Sequence, residues 1–166
     1  VDGLVGSEMC IRDSRWSDLD FEANKREGIA IDWPIRYRDI APWYSYVERF
    51  IGVSGDAQGL PELPDGEFQK PMEMNVVEKH VAKKISNAFP GRKMFIGRVA
   101  TLTEPLHGRA PCHYCGPCHR GCSGGSYFSS LSSTLPAAES TGNLSLMANS
   151  LVCLLYTSDA ADERHC

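Results

Sequence analysis

The sequence predicts an α+β fold, and three patterns carry that expectation. Apolar side chains recur at three- and four-residue spacing over Ile40, Trp43, Val47, Phe50 and Ile51, and again over Val77, Val81, Ile85, Ala88 and Phe89, the period of an amphipathic helix. Two other runs, 94–102 and 143–152, have the composition or alternation of strands. Between the helices, residues 54–71 contain Gly55, Gly59, Pro61, Pro64, Gly66 and Pro71, too many breakers for a regular element.

From the amino end inward, Ser17 or Asp18 is placed to cap a short helix running to Asn24–Arg26. Asp18, Asp20 and Glu22 favour its positive end, and Gly28 stops it. The segment DWP at 32–34 requires an extended chain before Pro34. Asp39 then opens the clearest helix, with Pro42 in a first turn where a missing N–H is harmless, and Gly52 closes it. Residues 54–71 read as a long surface excursion of the kind that often has a role.

Asn75 with Glu78 has the form of a capping box, and Pro90-Gly91 ends the helix it begins. Lys79, Lys83, Lys84 and His80 read as its solvated face. The strand expected over 94–102 leads into a cysteine-bearing loop. A small helical segment over 127–138, interrupted by Pro136, and the alternating run 143–152 complete the order.

The two ends stand apart from this pattern. LVGSEMCIRDS at 4–14 resembles the translation of a transposon-end adapter used to make sequencing libraries, and CLLYTSDAADE at 153–163 resembles the reverse complement of the same element. Residues 1–14 and 153–166 are therefore expected to be adapter-derived, with native sequence over 15–152. The competing reading makes each apolar run a short strand. The flanks hold two basic residues (Arg12, Arg164) and six acidic ones (Asp2, Glu8, Asp13, Asp159, Asp162, Glu163), so of 17 basic and 21 acidic side chains the interior keeps fifteen of each. The net charge of -4 belongs to the flanks, and the interior offers no electrostatic case for nucleic acid or an anionic membrane. Nor does any run approach the roughly 18 to 20 apolar residues of a membrane-spanning helix.

Three of the seven cysteines (Cys10, Cys153, Cys166) also lie in the flanks, leaving Cys112, Cys115, Cys118 and Cys122 in one run. Their C-x2-C-x2-C-x3-C spacing is that by which bacterial ferredoxins wrap thiolates around an iron-sulfur cluster. Ser123 stands where such ferredoxins have proline, and one run alone favours a three-iron cluster over a four-iron one. Zinc is a second reading, since four thiolates suit tetrahedral coordination. Disulfides from Cys112 to Cys118 or Cys122, or free thiols, are a third. His107, His113 and His119 flank the run as substitute ligands or hydrogen-bond donors to sulfur, or as plain loop residues. Gly121, Gly124 and Gly125 let the backbone turn its N–H groups inward, toward thiolates or a flavin phosphate, or merely loosen the loop.

Two blocks carry a family resemblance. DWPIRYRDIAPWYSYVERFIGVSG at 32–55 is similar to the "DWP-Y-DL-PYY-VE-GVSG" block of glucose-methanol-choline oxidoreductases. APCHYCGPCHRGCSGGSYFSSLSSTLPAAESTGNLSLMANSLV at 110–152 resembles the cysteine-rich loop and following "YLP-A-NL-L-V" stretch of the same family, in the same order. The likeness is strongest to the bacterial sugar and gluconate dehydrogenase branch, and leaves the compartment, periplasm or cytoplasm, open.

The resemblance implies a fragment of a two-domain FAD-binding, Rossmann-like enzyme, mostly its substrate domain, without the GxGxxG turn that opens the dinucleotide-binding part. It implies oxidation of a CH–OH group of a sugar, polyol or alcohol with hydride passing to the flavin, and electrons leaving to a cytochrome or other acceptor subunit. The family's catalytic histidine pair would follow Val152, so no catalytic residue is assigned and His80, His107, His113 and His119 are not taken as the base. Val152 would approach the adenine end of FAD, or is simply a buried strand residue. Some relatives hold an iron-sulfur cluster in the corresponding loop, whereas the alternative function is a cysteine-rich iron-sulfur or zinc module with no flavin.

Overall fold

The computed structural model describes residues 14–151, so Val152 and the expectations for residues 1–13 and 152–166 lie outside the described residues. Among the described residues are four α-helices: α1 (Asp18–Glu27), α2 (Tyr37–Ile51), α3 (Val76–Ala88) and α4 (Thr134–Ser140). A single 3-10 turn, Cys118–Arg120, lies between α3 and α4. No helix among them is long and apolar enough to cross a membrane.

Helix α1 begins as its sequence predicts. Asp20 Oδ2 accepts from the Ser17 N–H at 2.7 Å and the Ser17 hydroxyl at 3.0 Å, and Gly28 closes the helix in the left-handed region at φ 69. Its single buried residue, Phe21, meets Trp16 and Trp33 at ring-centroid distances of 5.7 and 6.3 Å. This aromatic trio joins the start of α1 to the extended DWP segment.

Helix α2 starts two residues earlier than Asp39 suggests. Arg36 is its N-cap, and Asp39 sits at the third helical position, where its carboxylate accepts from the Arg36 N–H at 2.8 Å. An acid there serves the helix start as well as a capping residue does, which explains the misplaced boundary. Pro42 consequently lies inside the helix rather than in its first turn, and removes one bond from the ladder. Gly52 ends α2 as expected, at φ 79, with its N–H and that of Val53 both on the Glu48 carbonyl.

The expected strand over 94–102 is extended but pairs only at two points, Val99 with Ser54 and Thr101 with Tyr127, both antiparallel. The cause is local: the Thr101 N–H turns back to the Val99 carbonyl at 2.8 Å, kinking the chain at Ala100. One side of the kink therefore faces Ser54, and the other faces 126–128 through Leu102 to Ser126 and Phe128 to Ala100 bonds. Ser54 is also bridged in parallel to Gln69. The core condenses at this crossing: Ile51, Val53 and Ala100, flanked by Phe50, Phe68 and Phe128, with Leu102 fully buried beside them.

The 54–71 excursion is pinned rather than loose. Asp65 accepts from the Gln58 and Gly59 N–H groups at 2.8 and 2.9 Å and from Arg98 at 3.0 Å. Arg98 also donates to the Pro64 carbonyl and lies 4.6 Å over the Phe68 ring.

Three further expectations are corrected. The capping box of α3 is present, Asn75 and Glu78 each accepting the other's N–H, but the helix buries no residue, and Val77 and Val81 face outward. Pro136 does not interrupt a helix: α4 begins at Thr134, which puts Pro136 at the third position, where an N–H has no partner to lose. The run from 143 to 151 forms no strand bridge among the described residues; it is exposed and turns at 148–149, where Asn149 has φ 55.

Candidate functional site: the cysteine loop and the cavity at its base

The loop that carries the cysteines is closed at its root by backbone bonds. Cys112 donates to the Leu102 carbonyl at 2.8 Å, Ala110 to Gly124 at 3.2 Å, and Leu102 to Ser126 at 2.9 Å. Cys112 and Cys122, at the root, are half-buried, whereas Cys115 and Cys118, nearer the tip, are exposed. All four are free thiols, so neither disulfide option is realised. Among the described residues no group of three or more His, Cys, Asp or Glu side chains is arranged to hold a metal ion. The iron-sulfur and zinc readings of Cys112, Cys115, Cys118 and Cys122 rest on their spacing.

Cys122 has the most developed surroundings of the four. Its sulfur lies 3.1 Å from the Ser126 hydroxyl. That contact, with the backbone N–H groups of Tyr127, Gly124 and Ser126, outweighs burial and draws its pKa down to about 7. Of the glycine-rich stretch, the Gly124 N–H is directed at the Cys122 sulfur. Gly121 and Gly125 hold the left-handed conformations that such a turn needs, at φ 109 and 66.

The histidines divide. His80 is exposed on α3, and His113 is exposed near Gly124. His119 falls on the 3-10 turn. His107 is the one with a built environment: with Gly108 it forms the two central residues of a tight hairpin, both at positive φ (48 and 77), closed by reciprocal bonds between Leu106 and Arg109. Its ring leans on Phe50 at 5.6 Å, and together with Phe50, Ser132, Ser133 and Ser140 it lines a cavity of about 260 Å³.

Sequence reasoning missed Arg109. The side chain is 5% exposed, Nη2 donates to the Ile51 carbonyl at 2.7 Å, and Nε and Nη1 are buried with no hydrogen-bond partner. Burial pushes its pKa below the ordinary arginine value, and no charged group offsets that. The His-Gly dipeptide preceding it, a hairpin signal, was the available clue that the chain doubles back and carries Arg109 inward. Arg15, also missed, is buried in a pair with Glu48 on α2, remote in sequence from the cysteine loop.

The described residues contain no strand, glycine turn and helix unit of the kind that binds a dinucleotide. No family model matches the chain. It is similar to 2-methyl-1,2-propanediol dehydrogenase of Mycolicibacterium austroafricanum, 28% identical over 100 residues, an alignment that spans 57% of this chain and 18% of that protein's length.

Proposed function

We propose that the chain is an internal piece of an FAD-dependent dehydrogenase of the glucose-methanol-choline type, which oxidises a CH–OH group of a sugar, polyol or alcohol. The similarity to a diol dehydrogenase carries this reading, because that relative's name points to alcohol oxidation. Those blocks, 32–55 and 110–152, support it by occurring in the family's order. The flavin would accept hydride from the substrate carbon. The flavin-binding turn and the base would belong to other parts of the parent enzyme, and the electron acceptor to a cytochrome or similar partner. The role left to these residues is positioning: the pinned 54–71 segment and the closed root of the cysteine loop form wall, not reaction centre. No cluster is assigned to Cys112, Cys115, Cys118 and Cys122 in this reading.

The test is the parent reading frame, obtained by amplifying the source DNA outward from codons within Trp16 and Asn149. The expected result is a GxGxxG upstream and a histidine pair downstream, with 1–14 and 153–166 absent from untagged DNA. An open reading frame that reproduces both flanks and lacks either motif overturns it.

A further inference from the structure

The methionines are placed unlike the other large apolar side chains. The buried core of the described residues is Phe21, Ile51, Val53, Ala100 and Leu102, without a methionine. Met72, Met74 and Met94 instead line one cavity, of about 430 Å³. Each of the three is half-buried, whereas Met147 stands 81% exposed. Methionine ordinarily fills gaps in a core, where its flexible, polarizable thioether adapts to its neighbours. Three thioethers on the wall of one open cavity also make a set of soft donors.

Both segments that carry them are anchored. Met72 and Met74 follow Gln69, which donates to the Val53 carbonyl at 2.9 Å and accepts the Gly55 N–H at 3.1 Å. The Lys70 carbonyl accepts the Thr103 hydroxyl at 2.8 Å, and Asn75 fixes the other end of the segment as the cap of α3. Met94 follows Lys93, whose ammonium donates to the Gln58 carbonyl at 3.0 Å. Gln58 lines the same cavity and has its own N–H on Asp65 at 2.8 Å. The backbone beneath the three sulfurs is therefore set in advance of any ligand.

The remaining wall disfavours a hard ion. Pro71, Phe95 and Ile96 are apolar. Asp56 supplies the carboxylate that lines the cavity, one of its oxygens already accepts from the Gln58 amide at 3.0 Å, and Lys79 brings the opposite charge. Calcium and magnesium need several oxygen donors, and zinc prefers thiolate, imidazole or carboxylate. Neutral thioethers suit a polarizable monovalent ion.

We propose that Met72, Met74 and Met94 bind a soft monovalent cation, Cu(I) or Ag(I), through their thioether sulfurs in this cavity. The ion enters and leaves in the same oxidation state, so no redox step is involved. Neither flavin nor turnover enters, which separates this site from the oxidoreductase reading.

The experiment follows the methionine ε-methyl resonances of the full chain, labelled with methyl-13C methionine, during titration with silver nitrate. The seven cysteines are first alkylated with iodoacetamide, so that thiolates do not take up the metal. The resonances of Met72, Met74 and Met94 should shift together and saturate at one equivalent, with Met147 unmoved. Cu(I) added under nitrogen should shift the same three, and Zn(II) none. Met72→Leu and Met94→Leu should each weaken silver binding at least about ten-fold. Leucine nearly conserves volume, so both variants should fold, and the shifts of the unsubstituted chain stand if they do not. Absence of saturation, a shift at only one of the three, an equal shift at Met147, the same shifts with Zn(II), or unchanged affinity in both folded variants overturns the proposal.

Discussion

The guanidinium of Arg15 lies side-on against the carboxylate of Glu48, Nε to Oε1 at 2.8 Å and Nη2 to Oε2 at 2.5 Å, with both side chains buried. Two further donors of Arg15 are met by the Tyr37 and Ser45 hydroxyls, and Glu48 also accepts the Glu67 N–H. Burial opposes the charge on Arg15, but the bonds to Glu48 and Tyr37 outweigh it, and its pKa stands above the ordinary value. Glu48→Ala would strand a buried cation and should destabilise the chain by about 3 to 5 kcal/mol. The double change Arg15→Met with Glu48→Leu should cost far less. Urea unfolding of the three variants measures both, and equal losses in the single and double variants would show that the pair is not coupled.

Gly52 and Gly28 separate two costs of replacing glycine. Both are left-handed, but a Cβ at Gly28 meets open space whereas one at Gly52 runs into Leu102 and Leu106. Gly28→Ala should lose roughly 1 to 2 kcal/mol of backbone strain. Gly52→Ala should lose that plus about 1 to 3 kcal/mol of overpacking. Comparable denaturation midpoints for the two variants would contradict the packing of Leu102 beneath the end of α2.

Asp65 ties acid sensitivity to the 54–71 segment. The Gln58 N–H, then the Gly59 N–H and the Arg98 charge, hold its pKa below the ordinary carboxylate range against the opposing effect of burial. A depressed folded-state pKa contributes stability above the unfolded pKa of about 3.9 that is lost as pH falls through the folded value. The segment should therefore loosen below about pH 4, and amide exchange at Gln58 and Gly59 should rise there. Asp65→Asn should already exchange faster at neutral pH and show a smaller acid response.

Cys122 should alkylate with a pH midpoint near 7, set first by the Ser126 hydroxyl and then by the Tyr127 N–H. Ser126→Ala should move that midpoint up toward an ordinary thiol. Iodoacetamide labelling followed site by site by mass spectrometry reads it directly, and an unchanged midpoint in Ser126→Ala would remove the serine from the account.

Local features were legible because local chemistry makes them: the Asn75–Glu78 box, Gly28 closing α1 and Gly52 closing α2 were all readable from the sequence. The start of α2 was displaced because Asp39 works at the third position as readily as at the cap. Arg15–Glu48 and Arg98–Asp65 were invisible, since each joins residues more than thirty positions apart and no period in the sequence links them. The 94–102 strand failed because composition reports strand tendency but not the partner a strand needs. At the site, spacing located the cysteines, but it gave no sign of Arg109, whose Nε and Nη1 are buried without partners.

Helix α3 buries no residue of its own. It rests on its own cap and ladder, and thirteen residues of isolated helix are marginal in water. All three tryptophans, Trp16, Trp33 and Trp43, report from the other end of the chain. On heating, ellipticity at 222 nm should therefore begin to fall before tryptophan emission shifts, and the van't Hoff enthalpy from either signal should differ from the calorimetric one.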